Sequence, residues 1–198
     1  MVFMIDILVN KDNPLNKDYT PKDLIITDEN SFNYHKFLDP LHKPSVREEV
    51  YFAFKELQKQ GLKDGIFVIV DSGFRSYDYQ QQIWDYNVET KGLEHTKKYV
   101  ALPGTSEHQT GLAIDLGAYI NKQYTGDINE NTDEYKWMIE NAHRYGFILR
   151  YPEGKEDITG INFEPWHYRY VGYYLANELH DNNITLEEYH AKKKVLKL

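Results

Sequence analysis

The 198-residue sequence contains no cysteine, so disulfides and cysteine-ligated zinc are excluded and any bound metal must rest on histidine and carboxylate. Positive charge is also scarce. Lysine and arginine total 23 against 31 acidic residues, a net charge of −8, and this disfavours a nucleic-acid surface, which needs clustered cations for phosphate. The run Lys192-Lys193-Lys194 reads as a solvated helix face. No apolar stretch approaches the roughly 20 residues of a membrane-spanning helix. Met1 to Val9 is apolar but short, carries Asp6, lacks a basic start and has no small-residue cleavage site. It reads as a strand or packed arm rather than a signal peptide, and the expectation is a cytoplasmic protein without a membrane partner.

Aromatics are plentiful, with 17 Tyr against 9 Phe and 3 Trp, which suits a wet core periphery or a polar cleft. The length fits one domain spanning residues 1–198, with no internal repeat or low-complexity linker. Residues 10–44 are rich in Asn, Asp, Pro and Lys and read as extended segments and turns. Ser45 and Glu48 have capping-box spacing, so a helix is expected from Ser45, with Val46, Val50, Ala53 and Leu57 on one face and Gly61 as its stop. Ile66 to Val70 reads as a buried strand. A second helix is expected after Arg75 with Ser76 as N-cap and Ile83, Trp84 and Val88 inward. Strands follow at Leu112–Leu116, Phe147–Arg150 and Trp166–Val171. A helix opens at Thr132 or Asp133 and ends at Gly146, and the last helix starts at Thr185, boxed with Glu188. Strands flanked by helices without regular alternation predict an α+β fold.

Chemistry concentrates in three segments. In Ser106 to Asp115, a strand through Asp115 points that carboxylate to the same side as Ala113 and away from Leu112, Ile114 and Leu116. Gly111 allows a turn that would return His108 beside Asp115. In Phe163 to Tyr170, His167 and Arg169 alternate with Trp166, Tyr168 and Tyr170, and Glu164 lies three residues before the histidine. His108, Asp115 and His167 are three ligands of the type that hold catalytic zinc with a position left for water. Glu164 is the candidate general base and acid. The third segment, Asp71 to Ser76, offers the Arg75 guanidinium fork to a carboxylate or developing oxyanion at the start of a helix. Gln80 faces the same cleft or solvent. The plainer readings are a salt-bridged Asp115 and a structurally paired Arg75. His35, His42, His95, His143, His180 and His190 are read as surface or hydrogen-bonded core residues.

Taken together, Ser-Gly-Phe-Arg-Ser at 72–76, Ser-x-His-x-x-Gly-x-Ala-x-Asp at 106–115 and Glu-x-Trp-His at 164–167 resemble the zinc D-Ala-D-Ala carboxypeptidases, the family that includes VanY and VanXY. The resemblance runs from about Leu8 to Tyr189. Tyr99–Gly104 and Ile158–Ile161 are most similar to the cytoplasmic VanXY branch. Phe74 stands where the family often has Tyr, which removes a hydroxyl but no ligand. The resemblance implies a small antiparallel sheet carrying zinc with helices outside it, as in the hedgehog-like fold. It implies zinc on His108, Asp115 and His167, Glu164 as base, Arg75 at the oxyanion or substrate, and Ser106 and Gln80 on the peptide. The implied substrates are D-Ala-D-Ala and peptidoglycan stem peptides. An L,D-carboxypeptidase of similar fold acting on tetrapeptides is the alternative. A phage-type endopeptidase is disfavoured because no wall-binding module is visible. A non-catalytic zinc fold that binds peptide is disfavoured by Glu164 and Arg75.

Overall fold

The computed structural model describes residues 4–27, 43–120 and 123–195. Its centre is a five-stranded antiparallel sheet built around β4 (Ala113–Ile120). One edge of β4 pairs with β3 (Val68–Ser72). Its other edge is shared in tandem: Ala113 to Asp115 pair with β7 (His167–Tyr170), and Gly117 to Ile120 pair with β5 (Gln123–Asp127). β6 (Phe147–Leu149) completes the sheet beyond β7. The architecture is α+β, as the order of elements predicts.

The expected helix at Ser45 starts later. Ser45–Arg47 form β2, paired antiparallel with β1 (Leu24–Ile26), and α1 runs over Glu48–Lys63. The Ser45 carbonyl accepts the Phe74 amide at 2.6 Å, so this residue is committed to strand contacts and does not cap the helix. Gly61 does not stop α1 either. It is buried within the helix, where a β-carbon would stand 3.2 Å from the Ile66 carbonyl oxygen, so its small size admits the returning chain. Val50, Phe54 and Leu57 of α1 pack on Val68, Val70, Ile114, Leu116 and Tyr168 in the main core.

Ser76 caps α2 (Tyr77–Lys91) by accepting the Tyr79 amide at 3.1 Å, as expected, and Ile83 is buried. α3 (Leu93–Tyr99) follows after Gly92. Thr132 caps α4 (Asp133–Asn141), and a tight 3₁₀ turn, Ala142–Tyr145, carries the chain to Gly146. After the one-turn α5 (Glu156–Thr159) and β7 come α6 (Tyr173–Asn182) and α7 (Leu186–Val195). The expected box at the start of α7 is present: the Glu188 amide donates to Thr185 Oγ1 at 3.2 Å, and the Thr185 amide donates to Glu188 Oε2 at 2.8 Å. Residues 4–9 form a packed arm. Lys193 is not merely solvated, since it pairs with Asp6 at 3.0 Å. His35 and His42 lie outside the described residues. Among the described residues no helix is long and apolar enough to cross a membrane.

Two positions offer direct tests. Gly111 has φ +68°, and a β-carbon there would stand 2.9 Å from Arg47 Cγ and 3.1 Å from Leu24 Cδ2. Gly111→Ala should therefore cost on the order of 1–3 kcal/mol in urea denaturation, from backbone strain plus the displaced neighbours. Thr185→Ala, which removes one half of the box, should cost about 1 kcal/mol.

Candidate metal centre and active-site cleft

The β4–β7 register sets Asp115 directly opposite His167. Strand alternation buries Ile114, Leu116 and Tyr168 in the core and turns Asp115 and His167 to the other face. His108 comes from the 3₁₀ turn Glu107–Thr110, which Gly111 ends in the left-handed region so that β4 can begin. The short turn Glu164-Pro165-Trp166-His167 closes through the His167 amide donating to the Glu164 carbonyl at 3.2 Å. Proline suits the second position of such a turn, and the closure brings Glu164 beside the histidine.

His108 Nδ1 lies 2.6 Å from the Gly73 carbonyl oxygen, and a carbonyl only accepts. Nδ1 therefore carries the proton, and the Nε2 lone pair is turned to Asp115 Oδ2 at 3.3 Å. A β-carbon at Gly73 would collide with the Ser45 carbonyl, so the glycine lets β2 pass against the segment that supplies this acceptor. His167 presents its other nitrogen, with Nδ1 2.8 Å from Asp115 Oδ1. The two imidazoles stand edge to face, 4.9 Å apart.

One ligand atom from each of His108, Asp115 and His167 lies within 4.8 Å of the others. A tetrahedral zinc site with bonds of about 2.1 Å places its ligand atoms about 3.4 Å apart, so small side-chain shifts close the triangle. His108 Nε2 is buried without a hydrogen-bond partner among the described residues, which a metal would satisfy. The donor set fits zinc.

The electrostatics also suit a cation. Burial, reinforced by the Arg75 charge, lowers the His108 pKa to about 4, so the ring is neutral. Burial opposes ionisation of Asp115, but His108 and His167 hold its carboxyl well below the usual range. Burial also opposes the His167 cation, yet the hydrogen bond to Asp115 prevails and raises its pKa to about 9 without metal. Burial raises Glu164 to about 8, outweighing the His167 charge.

The other predicted residues converge on the same cleft of about 280 Å³. Glu164 Oε2 is 3.8 Å from His167 Nδ1, and Arg75 Nη2 is 3.6 Å from Asp115 Oδ2. Ser106 is buried at the cleft wall. Gln80 donates through Nε2 to the Ala101 carbonyl at 2.8 Å, leaving its buried Oε1 without a hydrogen bond among the described residues. The cleft continues along α2 past Asn87 to Lys91, with His95 and Tyr99 of α3 beside it, so His95 is a cleft residue and not only a surface one. His143 and His180 stack at 3.6 Å away from the site, and His190 Nε2 lies 2.6 Å from the Asp6 carbonyl oxygen.

Two neighbours of the site escape sequence reasoning. The Tyr151 ring packs against His167 at 4.8 Å and lines the cleft. Glu107, adjacent in sequence to His108, is wholly buried and bonded to Arg150 and Arg169. Nothing in its local sequence signals burial, because both partners lie more than 40 residues away.

A family model described as VanY, D-alanyl-D-alanine carboxypeptidase, matches residues 43–173. The chain is 38% identical over 188 residues to the bifunctional D-Ala-D-Ala dipeptidase and D-Ala-D-Ala carboxypeptidase VanXYC of Enterococcus gallinarum, covering 92% of both proteins. Among solved structures, the LdcB LD-carboxypeptidase superposes with a TM-score of 0.80 at 44% identity, over 93% of this chain and 85% of that one. The vancomycin-resistance D,D-pentapeptidase VanY, solved in complex with Zn(II), superposes with a TM-score of 0.78 at 35% identity, over 94% and 98% of the two chains. With its His-Asp-His centre, this chain belongs to the VanY family of D-alanyl-D-alanine carboxypeptidases and is a metallo-carboxypeptidase.

Proposed function

We propose that this protein is a zinc-dependent D,D-carboxypeptidase and D,D-dipeptidase of the VanXY branch, acting as one catalytic domain on D-Ala-D-Ala-ended peptidoglycan precursors and on the free dipeptide. The observation that carries the reading is the buried Glu164 carboxyl beside the His108–Asp115–His167 centre, with the Arg75 guanidinium facing the same cleft. VanXYC supports the branch because it matches this chain across 92% of both lengths.

Zinc held by His108 Nε2, Asp115 and His167 Nδ1 supplies Lewis acidity, which polarises a peptide carbonyl and acidifies water. Glu164 takes the proton of the attacking water and delivers it to the leaving amine of D-alanine. Its raised pKa suits both halves of that transfer at neutral pH. Arg75 donates to the oxygen that becomes negative as the carbonyl turns tetrahedral. Gln80 Oε1 accepts from the peptide, and the Ser106 hydroxyl binds beside it.

A second reading, L,D-carboxypeptidase, is favoured by the 44% identity to LdcB. The same centre serves either reaction, and the two differ in the residue before the cleaved bond. Zinc-loaded protein should release D-alanine from D-Ala-D-Ala and from a D-Ala-D-Ala-ended pentapeptide, and not from the tetrapeptide. Release from the tetrapeptide alone would replace the first reading with the second.

Three further outcomes are expected. Glu164→Gln should retain zinc while kcat falls by about 10²–10⁴-fold, because the ligands survive and the proton carrier does not. His167→Ala should lose the metal, as measured by elemental analysis of the purified protein. Zinc binding should release a proton at neutral pH, since His167 is protonated below about 9 in the metal-free protein and must ligate as the neutral ring. Apparent zinc affinity should therefore fall as pH falls through and below about 9, by about tenfold per unit for one displaced proton. Titration calorimetry in buffers of different ionisation enthalpy checks this.

A further inference from the structure

Behind His167, on the side away from Asp115, lies a cluster of buried charge that no step above uses. Glu107 is 1% exposed, and Arg150 and Arg169 are as deeply buried. Both guanidiniums converge on one oxygen of Glu107: Arg150 Nε donates to Oε1 at 2.8 Å, and Arg169 Nη1 stands 3.0 Å from it. Arg150 also forks onto the Glu187 carboxylate of α7, with Nη1 donating to Oε2 at 2.9 Å. Arg169 Nη2 donates to the carbonyls of Ile5 and Ile7 at 3.0 and 2.8 Å.

Glu107 Oε2 is thereby left over. It is buried with no hydrogen-bond partner among the described residues, and so is His167 Nε2. The two atoms face each other at 4.0 Å. Each supplies what the other lacks, a ring N–H on one side and a carboxylate lone pair on the other. A buried polar atom without a partner costs about 1–3 kcal/mol, a force that draws the pair together.

We propose that Glu107 is a positioning residue for the metal centre: its free carboxylate oxygen accepts the hydrogen bond donated by His167 Nε2–H and so holds Nδ1 turned toward the metal. The inference rests on the zinc reading above. A histidine has two nitrogens, and which one ligates is set by what the other is bonded to. Asp115 acts on one side of the ring and Glu107 on the other, while Tyr151 packs on the ring itself at 4.8 Å. The arginines fix the carboxylate so that it does not turn away.

Glu107→Asp is the test, because it keeps the negative charge between the two arginines while withdrawing the oxygen by one methylene. Zinc affinity, measured by competition with a chromophoric chelator, should weaken by about 10–100-fold. The visible absorption of the Co(II)-substituted variant should shift. Glu187→Gln cuts the same cluster at its outer end without touching His167, and zinc affinity should stay within about twofold of wild type. Unchanged affinity in Glu107→Asp, or equal weakening in Glu187→Gln, would overturn the proposal and leave a structural ion cluster. If Glu107→Asp does not fold, nitrogen-15 spectra of the zinc-loaded wild type decide. A slowly exchanging Nε2 proton on His167 supports the role, and a rapidly exchanging one overturns it. Failure of the wild type to bind zinc removes the metal reading itself, and this one with it.

Discussion

The pairing of Asp115 with His167 across β4 and β7 is the contact on which the rest of the site depends. It is made by backbone hydrogen bonds of the sheet, so the two side chains are neighbours before any metal arrives. A one-residue slip in register would send one of them into the core beside Ile114 or Tyr168. The apolar faces of β4 and β7 oppose that slip, because it would turn Ile114 and Leu116 or Tyr168 out of the core. The hydrophobic core thus fixes the ligand geometry from the opposite side of the sheet. His108 is then added from a short turn whose position is set by Gly111 and by the approach of Gly73 to Ser45.

This arrangement concentrates charge where burial penalises it. Asp115, Glu164, Glu107, Arg75, Arg150, Arg169 and His167 all lie within or against one buried region. Burial opposes every one of these charges, and their arrangement by sign is what keeps most of them ionised. Arg150 and Arg169 hold Glu107 well below the ordinary carboxylate range. Among the described residues no arginine pairs with Glu164, only the His167 ring at 3.8 Å, and burial raises this carboxyl. Two buried glutamates, one held ionised and one poised to exchange a proton, are separated in behaviour by their neighbours alone. Such a site is not optimised for stability, and metal binding offsets part of that cost.

Much of the metal centre was legible in the sequence because its residues occur in short, locally constrained patterns. His108, Gly111 and Asp115 fall within one turn and one strand, and Glu164 and His167 within one turn closed at proline. The helix caps at Ser76 and Thr185 were legible for the same reason, since a cap is a contact between residues three apart. The misreading at Ser45 has the opposite cause. Its sequence satisfies a capping box, but pairing with Ile26 and the contact with Phe74 are long-range and override the local pattern. The strand β5 carries Gln-Tyr-Thr-Gly-Asp, which has no apolar alternation to announce a strand. Helices α3 and α6 present too few buried residues to show a period, with Thr96 alone buried in the first and Ala176 and Leu179 in the second. Glu107 was invisible because its meaning lies in Arg150 and Arg169, which only the fold brings near.

The contacts between the N-terminal arm and α7 have a consequence for biosynthesis. His190 and Lys193 hold Asp6 across separations of 184 and 187 residues, while Arg169 holds the carbonyls of Ile5 and Ile7. The arm precedes the sheet in the sequence and α7 follows it, so during synthesis these contacts form only after α7 has been made. The sheet can assemble once β7 has emerged, but the Arg150–Glu187 fork waits for the helix that carries its second carboxylate. Until then Arg150 and Arg169 share the one carboxylate of Glu107. The charge cluster behind His167 is therefore closed only after His108, Asp115 and His167 have all been made.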